Sequence, residues 1–352
     1  MRKSCYNQFI EYVLVNICER TGMVNREKVA EICGVSPMTV TRVTTGRGYV
    51  GVETKKKIQQ VIEECGYVPN KIAASLVRKR GNDIAIILHD LNNPYYLQAI
   101  DAIIKEAKKY GYVVSIFKAN EKELPGVMQE IISNRVAGVI NYASVIPAQY
   151  VKSLRGIGSK LILKNWQDTD FKMEISYEEA IRDAINLLAR KGARDIIFIS
   201  GMEKEFTFHD TRASHFVKHM AEAGLKTDSE SVVFGDYPNE KAFVVGYNSA
   251  ISLTDSGKKI DAAFCMNDMM AFGFINGLKK KGRRIPEDIA VIGFDNVYMS
   301  DFFAPALSSI APDIEHEARL YVNYIEGIDA GRDTYLKARF IERDSTKLWA
   351  KL

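Results

Sequence analysis

The chain has 352 residues, of which 47% are hydrophobic and 26% charged, and this composition indicates an ordinary globular protein with two or three domains. Its formal net charge of +4 is unevenly distributed, because residues 1–80 carry 14 Lys and Arg against 7 Asp and Glu and the remainder is slightly acidic. The five cysteines form no CxxC or Cys/His cluster and no segment suits a membrane span, which excludes a disulfide framework, a zinc site and a membrane protein and favours a reducing cytoplasm. The basic excess predicts a nucleic-acid partner for the N-terminal region, although a solvated basic surface would give the same balance.

Residues 1–22 precede the first clear domain signal and allow two interpretations. Translation could start at Met23, or the segment could form an additional helix that packs on the following domain or on a partner. The apolar face of that helix would contain Phe9, Tyr12, Val13 and Ile17. A signal peptide is a poor interpretation, because Glu11 interrupts the apolar run and no small-residue cleavage site follows. The two interpretations stay open, and residues 1–23 are set apart as an N-terminal extension.

Residues 24–68 have the pattern of a three-helix domain with a helix-turn-helix. Val29 and Ala30 are expected to point inward from the first helix, Gly34 to make the turn, and Ser36 to cap a second helix that continues to Val43. A third helix is predicted at about 53–65. Its apolar positions are Ile58, Val61 and Ile62, and its outer side carries Lys55, Lys56 and Lys57.

Residues 69–82 are predicted to form a hinge helix followed by a basic linker. Asn70 can cap a short helix in which Ala73 and Leu76 lie on one face. The linker VRKRGN ends at a Gly-Asn pair that suits a domain boundary. A helix of about seven residues is too short to be stable alone, so we expect it to form only when it pairs with a second copy on DNA.

Residues 83–352 alternate short β-branched runs with helical patterns such as 97–110 and 177–191. This alternation predicts parallel sheets with helices on both faces. Ligands of such sheets bind beyond the carboxyl ends of the strands, so the residues that follow each strand are candidates for a binding site. The predicted strands are 83–88, 113–117, 138–142, 160–164, 195–200, 232–234, 262–266 and 289–294.

Two sets of motifs resemble the LacI/GalR family of bacterial transcription regulators. The first set is Ala30, Gly34-Val35-Ser36, Thr39-Val40, Arg42-Val43, Gly46, Val50, Thr54 and Tyr67-x-Pro69-Asn70-x-x-Ala73-x-x-Leu76. The second set is Asn93-Pro94-Tyr95-Tyr96, Gly111-Tyr112, Ala263–Gly273, Ile285–Asp295 and Arg343-Asp344-Ser345-Thr346. The resemblance covers about residues 24–346.

The resemblance implies an α/β protein with an N-terminal three-helix headpiece, a hinge helix and a two-lobed effector domain like a periplasmic binding protein. The N-lobe would comprise about 83–176 and 312–339, and the C-lobe about 177–311 and 340–352. Residues 347–352 are too short for the additional C-terminal helix by which some members form tetramers, which favours a homodimer.

The resemblance also implies that the second helix lies in the major groove of DNA. Pro37 and Met38 stand where the family contacts base edges, and Arg42 follows one turn later. Arg42 could pair with guanine, or it could contact a phosphate without sequence preference. Phosphate contacts are implied for Ser36, Thr39, Thr41, Tyr49 and Lys55. The resemblance also implies DNA contacts for the hinge helix, which contains Asn70 and Ala73, and it implies that Leu76 inserts between base steps in the minor groove. The alternative is that Leu76 is a core residue of the linker.

In the effector domain, the resemblance places Arg212, Asn165, Asn267 and Asp295 just after strands, facing the cleft. These groups suit a polyhydroxylated ligand, because each can make paired hydrogen bonds. Asp268 is assigned instead to the N-cap of the next helix. The aromatic residues Tyr95, Tyr96, Trp166 and Tyr237 offer ring faces for a sugar, although any single one is more often core than site.

Five positions depart from the family pattern. Asn165 replaces a frequent Asp, which leaves Arg212 with one fewer acid partner and slightly favours an effector with an acid or phosphate group. The family as a whole favours a neutral sugar. The other departures are Arg26 for an apolar residue, Lys28 for an Asp, Gly51 for a capping Ser, and His215 for a Gly.

The sequence therefore predicts a cytoplasmic transcription regulator, a repressor of carbohydrate-use genes. Its partners would be a near-palindromic double-stranded DNA operator, a second copy of the chain and a small sugar or sugar-derivative effector. No cofactor, metal or membrane is expected, and the chain has no GxSxG, HExxH or GxxxxGK[ST] motif of an enzyme. The alternatives are a family member controlled by a protein partner, and a sugar-transport protein, which would have a secretory leader and no headpiece.

Overall fold

The computed structural model describes residues 24–45, 48–67, 81–143, 145–163, 171–208, 210–235, 240–328 and 333–347. The chain divides between Asn82 and Asp83 into two compact units. The first is a helical headpiece and the second is the α/β domain. Among the described residues, no helix has both the length and the apolar character needed to cross a membrane.

The headpiece contains α1 (Arg26–Cys33), α2 (Pro37–Thr45) and α3 (Val52–Cys65). The three helices share one small core, in which Val29, Val40 and Ile58 have no exposed surface. Each helix contributes one of these residues, so the predicted helical spacing of apolar residues accounts for the packing. The headpiece is therefore held together by burial of one face of each helix, which leaves the opposite faces exposed.

The two unusual residues of α1 form ion pairs within the helix. Arg26 Nη2 lies 2.7 Å from Glu27 Oε1, and Lys28 Nζ lies 2.9 Å from Glu31 Oε2. Both pairs are on the exposed side, so they contribute little to stability. The departures from the family pattern thus leave the core of α1 unchanged. Whether residues 1–23 cover this face lies outside the described residues.

The first sheet of the α/β domain belongs to the N-lobe and is parallel, with strand order β2-β1-β3-β4. Its elements are β1 (Asp83–Leu88), α4 (Pro94–Lys109), β2 (Val113–Lys118), α5 (Leu124–Ser133), β3 (Gly138–Asn141), α6 (Ala148–Gly156) and β4 (Lys160–Leu163). Ile84 and Ile86 of β1 pack in one apolar cluster, and Ala85 and Ile87 pack in a second. Alternate side chains of β1 therefore point to opposite faces, and helices cover both.

The second sheet, that of the C-lobe, has the order β12-β10-β9-β8-β6-β7 and is parallel except for the antiparallel β10–β12 pair. The six strands of this sheet are β6 (Ile196–Ile199), β7 (Val232–Val233), β8 (Ala262–Cys265), β9 (Ala290–Phe294), β10 (Ser308–Ala311) and β12 (Arg339–Ile341). A separate parallel pair is formed by β5 (Lys172–Ser176) and β11 (Asp333–Lys337). The α-helices that follow β4 in the α/β domain are α7 (Glu178–Arg190), α8 (Lys204–Thr207), α9 (Thr211–Glu222), α10 (Ala242–Asp255), α11 (Asp268–Lys280), α12 (Ile314–Glu326) and α13 (Asp344–Lys347).

Although α12 comes late in the chain, it packs in the N-lobe. Its residues Tyr321, Val322 and Ile325 lie in the same apolar cluster as Ile84 and Ile86. The chain therefore crosses from the C-lobe sheet back to the N-lobe after β10. This return brings the two lobes together as parts of one domain.

The C-lobe helices α10 and α11 approach each other closely through glycines. The carbonyl of Phe243 lies where a Cβ of Gly273 would be, and the carbonyl of Met270 lies where a Cβ of Gly246 would be. Only a residue without a side chain fits at either position. These two glycines therefore fix the closest helix packing of the C-lobe.

The predicted alternation of strands and helices is confirmed, and the eight predicted strands all occur with ends shifted by at most one residue. Four strands were not predicted, namely β5, β10, β11 and β12. β10 illustrates why, because it contains the buried pair Ser308 and Ser309. Their hydroxyls are hydrogen-bonded in the interior, so this strand lacks the apolar pattern by which a strand is recognised.

Candidate functional sites

The turn and caps of the helix-turn-helix agree with the sequence. Asn25 Oδ1 accepts a hydrogen bond from the Lys28 amide at 2.9 Å, and Gly34 has the left-handed φ of 66°. Ser36 Oγ accepts from the Thr39 amide at 3.2 Å at the start of α2. Gly51 precedes α3 without a side-chain cap. The local signals therefore fix the orientation of α2 within the headpiece.

The exposed side of the headpiece presents most of the predicted DNA-contacting residues. Met38 is 60% exposed and Tyr49 is 90% exposed, and Pro37, Arg42 and Lys55 are exposed as well. Gly48 has a φ of 90°, and a Cβ there would touch the stem of Arg42 at 3.4 Å. The requirement for glycine at position 48, which was not identified from the sequence, therefore comes from its left-handed backbone conformation and not from a lack of space beside Arg42.

The hydroxyl groups near the start of α2 also bond within the helix. Ser36 Oγ and Thr39 Oγ1 are 2.9 Å apart, and Thr41 Oγ1 donates to the Pro37 carbonyl at 3.1 Å. A hydroxyl can both donate and accept, so Ser36 and Thr39 keep capacity for a phosphate. The predicted DNA-contacting residues of the hinge, Asn70, Ala73 and Leu76, lie outside the described residues.

In the α/β domain, the C-lobe residues that were expected to face the cleft include an ion pair. Arg212 Nε and Nη2 donate to the two Asp210 carboxylate oxygens, with Nη2 2.5 Å from Oδ2, and Nη1 donates to the Met266 carbonyl at 2.6 Å. Burial opposes ionisation of both groups, but the attraction between them lowers the pKa of Asp210 and raises the pKa of Arg212. The guanidinium carbon also lies 6.0 Å from the Tyr177 ring centre and 5.7 Å from that of Phe294.

Arg212 has an acid partner that was not considered from the sequence, namely Asp210. Asp210 is the N-cap of α9 and accepts a hydrogen bond from the Arg212 amide at 2.8 Å. A residue at the cap position lies within reach of the second residue of the helix. Asp210 can therefore form an ion pair with Arg212, only two residues further along the chain. The frequent Asp that Asn165 replaces is therefore not needed for this purpose. Asn165 itself, like Trp166 and Tyr237, lies outside the described residues.

The second predicted cleft group, Asp295, follows β9 in an unusual backbone conformation. Its φ is 98° and that of Asn296 is 53°, and non-glycine residues in this region are often part of functional sites. Asp295 Oδ2 accepts a hydrogen bond from Asn93 Nδ2 at 3.0 Å. Asn93 belongs to the N-lobe, where its Oδ1 caps α4 by accepting from the Tyr95 amide at 3.0 Å.

Asn267 has the N-cap position that the sequence assigned to Asp268. Asn267 Oδ1 accepts from the Met270 amide at 2.8 Å and is the N-cap of α11, so this part of the side chain is already engaged. The assignment of Asp268 as the cap was wrong. Asp268 is fully buried and accepts from the Val297 amide and from two serine hydroxyls at 2.7 Å, those of Ser300 and Ser309.

The environment of Asp268 disfavours its charge. Burial, with a smaller effect of the nearby Asp295 carboxylate, raises the pKa of Asp268 to about 8, although the three hydrogen bonds oppose the rise. Asp268 joins the start of α11 to the segment after β9. It therefore supports Asp295 indirectly rather than facing a ligand.

The N-lobe tyrosines that were expected to face the cleft belong to a cluster of aromatic rings. The Tyr96 ring makes edge-to-face contacts with His89, Tyr95 and Tyr142, with ring centres 5.5 to 5.7 Å apart. Tyr95 is buried, and its hydroxyl donates to Glu317 at 3.2 Å. Burial, together with the charge of Glu317, raises the pKa of Tyr95 well above its usual value. Of the two described tyrosines among those predicted to stack on a sugar, Tyr96 is the more exposed, and Tyr95 is mainly structural.

Comparison with known proteins decides the family. The sequence model described as "Bacterial regulatory proteins, lacI family" matches residues 27–70, and that of a periplasmic binding protein-like domain matches residues 185–346. The HTH-type transcriptional repressor PurR of Pasteurella multocida (strain Pm70) is 31% identical over 295 residues, which cover 82% of this chain and 86% of that protein. The chain belongs to the LacI family. Catabolite control protein A of Priestia megaterium is 29% identical over 287 residues, covering 80% and 85% of the two chains.

Solved structures of the LacI family share the fold. A Lac repressor dimer bound to operator and the anti-inducer ONPF has a TM-score of 0.72 at 22% identity and covers 92% of this chain and 99% of its own. A complex of the transcriptional regulator CelR with cellobiose has a TM-score of 0.64 at 23% identity, with coverage of 92% and 99%. A LacI family regulator from Enterococcus faecium with bound ribose has a TM-score of 0.65 at 22% identity, covering 77% and 99%. At these identities, the structural likeness shows the fold alone.

As a LacI-family protein, the chain is a DNA-binding transcription regulator and not an enzyme, since its relatives are transcriptional regulators. Arg212 and Asp295 were candidates from the sequence, whereas their neighbours Asp210, Asn93 and Tyr177 were not. The signal for Asp210 and Asn93 was available, because each precedes a helix at the position that a capping side chain occupies.

His215, which stands where the LacI family usually has Gly, predicts a pH effect on stability. Burial lowers the pKa of His215, aided by His219 and Lys218 and opposed by Glu178 and Glu174. A group with a lowered folded-state pKa contributes stability above its unfolded value of 6.5 that is lost as the pH falls. We expect His215→Gln to flatten the fall in the urea midpoint between about pH 7.5 and pH 5.5.

The control for this measurement is Ser214→Ala, which changes an exposed residue without a titrating side chain next to His215 in α9. It should follow the unmodified protein over the same pH range. If His215→Gln also follows the unmodified protein, the partly buried His215 imidazole is not a source of acid sensitivity.

Proposed function

We propose that this LacI-family protein is a homodimeric, cytoplasmic repressor whose affinity for a near-palindromic operator is switched by a neutral sugar or sugar derivative. The headpiece (24–68) would bind the operator, the hinge (69–82) would order on DNA, and the effector would bind between the lobes of residues 83–352. The structure of CelR with cellobiose and the E. faecium regulator with ribose support a sugar as the ligand.

The observation that carries the choice of a neutral ligand is the pairing of Arg212 with Asp210. Because the guanidinium charge is already neutralised, Asp295 adds a net negative charge to this side of the cleft. An acid or phosphate group would be repelled there, whereas a sugar hydroxyl can donate to a carboxylate. The rings of Tyr177 and Tyr96, which are both partly exposed, would supply apolar faces for the carbon skeleton.

A thermal-shift experiment tests this proposal. Ribose, cellobiose, lactose and glucose are compared with glucose 6-phosphate, which differs from glucose only by the charged group. A ligand at about 100 times its Kd stabilises the folded state by about 2.7 kcal/mol, so a neutral sugar that binds should raise the melting temperature by several degrees. Stabilisation by glucose 6-phosphate alone would contradict the neutral-ligand proposal. No stabilisation by any compound would favour control by a protein partner.

The proposal of a homodimer is supported by exposed apolar residues of the effector domain. Phe302 is 83% exposed, Leu97 is 53% exposed and Ile104 is 42% exposed, and such residues often mark an interface. The Lac repressor with the same fold is described as a dimer bound to operator. Sedimentation equilibrium tests the proposal, and a monomer at micromolar concentration would contradict it.

For DNA recognition, Arg42 is proposed to contact a base, behind an apolar start of α2 formed by Pro37 and Met38. Arg42→Ala should cost about 1–3 kcal/mol of binding to the preferred operator, and relax specificity at one base-pair position. Binding-site selection from random DNA, followed by titration, measures both. Lys55→Ala is the comparison. Loss of a phosphate contact should weaken binding to all DNA sequences equally and reduce the slope of log affinity against log salt concentration by about one. An Arg42→Ala protein that behaved like Lys55→Ala would assign Arg42 to a phosphate.

The Leu76 wedge remains part of the proposal, although that residue lies outside the described residues. With few polar groups at the start of α2, DNA shape and the hinge would carry much of the specificity.

A further inference from the structure

Two residues of α4 contact one short segment of the C-lobe. Asn93 Nδ2 donates to Asp295 Oδ2 at 3.0 Å. Gln98 Oε1 accepts from the Tyr298 amide at 2.7 Å, and Gln98 Nε2 approaches the Asn296 carbonyl at 3.5 Å. We call Asn93, Gln98 and the segment 295–298 the interlobe clasp. The clasp connects the first turns of an N-lobe helix to the residue proposed to bind the effector.

The segment 295–298 is firmly attached to the C-lobe. The Asn296 amide donates to Ser309 Oγ at 3.0 Å, and the Val297 amide donates to buried Asp268 at 2.8 Å. Arg343 Nη2 donates to Asn296 Oδ1 at 2.7 Å. These bonds hold two consecutive residues at positive φ, a conformation that persists only where its surroundings enforce it. The segment should therefore move with the C-lobe as a rigid part.

Asn93 has no freedom to present a different atom to Asp295. Its Oδ1 accepts from the Tyr95 amide as the cap of α4, so its Nδ2 must be the atom that faces the carboxylate. One side chain thus serves both the start of α4 and the candidate ligand-binding group. A displacement of Asp295 would disturb the first turn of α4 directly.

We propose that Asn93 and Gln98 are positioning residues that hold the lobes together in the ligand-free protein as one cooperative clasp. A sugar that binds Asp295 acts on the same contact, so its effect passes to α4. The functional meaning of the clasp rests on the proposed role of Asp295, but the clasp itself is a property of the ligand-free chain. The proposal predicts that loss of the Asn93–Asp295 hydrogen bond weakens the Gln98–Tyr298 hydrogen bond, and the reverse.

Amide hydrogen exchange of the full-length, ligand-free protein tests this cooperativity. Gln98→Ala removes the acceptor of the Tyr298 amide. Asn93→Ser keeps an oxygen that can cap α4 but is too short to reach Asp295. If the clasp is one unit, the Tyr298 amide should exchange at least about fivefold faster in both variants, because a hydrogen bond contributes about a factor of this size to a local opening equilibrium.

Two internal comparisons make the result specific. Asp101→Ala changes an exposed residue of the same helix and should leave Tyr298 exchange unchanged. The Asn296 and Val297 amides bond within the C-lobe and should stay protected in every variant, which shows that the segment is still folded. If Asn93→Ser leaves Tyr298 exchange unchanged, or if exchange of all three amides rises together, the cooperative clasp is wrong.

The exchange measurement needs no ligand, which separates it from the proposed function. A negative exchange result would contradict the clasp. It would not affect the thermal-shift test of a sugar site in the cleft. Failure of ribose, cellobiose, lactose and glucose to stabilise the protein would remove the sugar site, and the exchange result would stand.

Discussion

Replacing Asp295 by Asn should reduce the affinity for a stabilising neutral sugar by about 10- to 150-fold. A hydrogen bond to a charged group contributes about 1.5–3 kcal/mol, and Asn offers one neutral carbonyl oxygen in place of a carboxylate. Asn also tolerates positive φ better than most residues, so the conformation at φ 98° should survive. Isothermal titration with the neutral sugar that gives the largest thermal shift measures the change.

The matched control is Asp255→Asn, which removes a carboxylate from the exposed end of α10, where Asp255 pairs with Lys281. This variant should bind sugar like the unmodified protein. Operator binding without sugar should be nearly unchanged in both variants, because neither residue belongs to the headpiece and the asparagine oxygen of Asp295→Asn can still accept from Asn93 Nδ2. An Asp295→Asn protein with full sugar affinity would remove Asp295 from the site.

Replacing Gly273 by Ala should destabilise the effector domain by about 3 kcal/mol or more. The added Cβ would overlap the Phe243 carbonyl of α10, so the two helices must separate at the closest crossing in the C-lobe. Overpacking of a well-packed interior costs about 1–3 kcal/mol when side chains can adjust, and more when the obstacle is backbone. Urea unfolding followed by circular dichroism measures the loss.

Gly126→Ala is the control for this substitution, because Gly126 also lies in a helix, α5, but an added Cβ there meets no atom within 4 Å. Alanine is the better helix former by about 1 kcal/mol, so this variant should be at least as stable as the unmodified protein. Equal stabilities of the Gly273→Ala and Gly126→Ala proteins would mean that α10 and α11 do not pack as described.

Much of the fold could be predicted from the sequence because the relevant signals are local. The turn at Gly34 and the caps Asn25 and Ser36 each depend on a few neighbouring residues. Buried parallel strands such as β1 are continuous apolar runs, which a reader of the sequence can recognise. β10 was missed because its buried serines are satisfied by hydroxyl hydrogen bonds to residues far along the chain, such as Thr346 and Asp268.

The candidate site could be predicted only in part, for a related reason. The positions of Arg212 and Asp295 after strands were accessible from sequence order and from the family resemblance. The pairing of Arg212 with Asp210 depends on how a helix cap orients its side chain, and it was not predicted. The contact of Asn93 with Asp295 joins residues 202 positions apart, which no local pattern reveals.

The central claim is that a neutral ligand in the cleft controls DNA binding, and a titration of operator DNA tests it most directly. The operator is the sequence selected by this protein from random DNA, and its affinity is measured with and without the neutral sugar that gives the largest thermal shift. We expect the sugar to change the operator affinity by about 5- to 150-fold, the usual range of allosteric coupling, and to have little effect in the Asp295→Asn protein at the same concentration. An operator affinity that the bound sugar leaves unchanged, or that changes only with glucose 6-phosphate, would contradict the account.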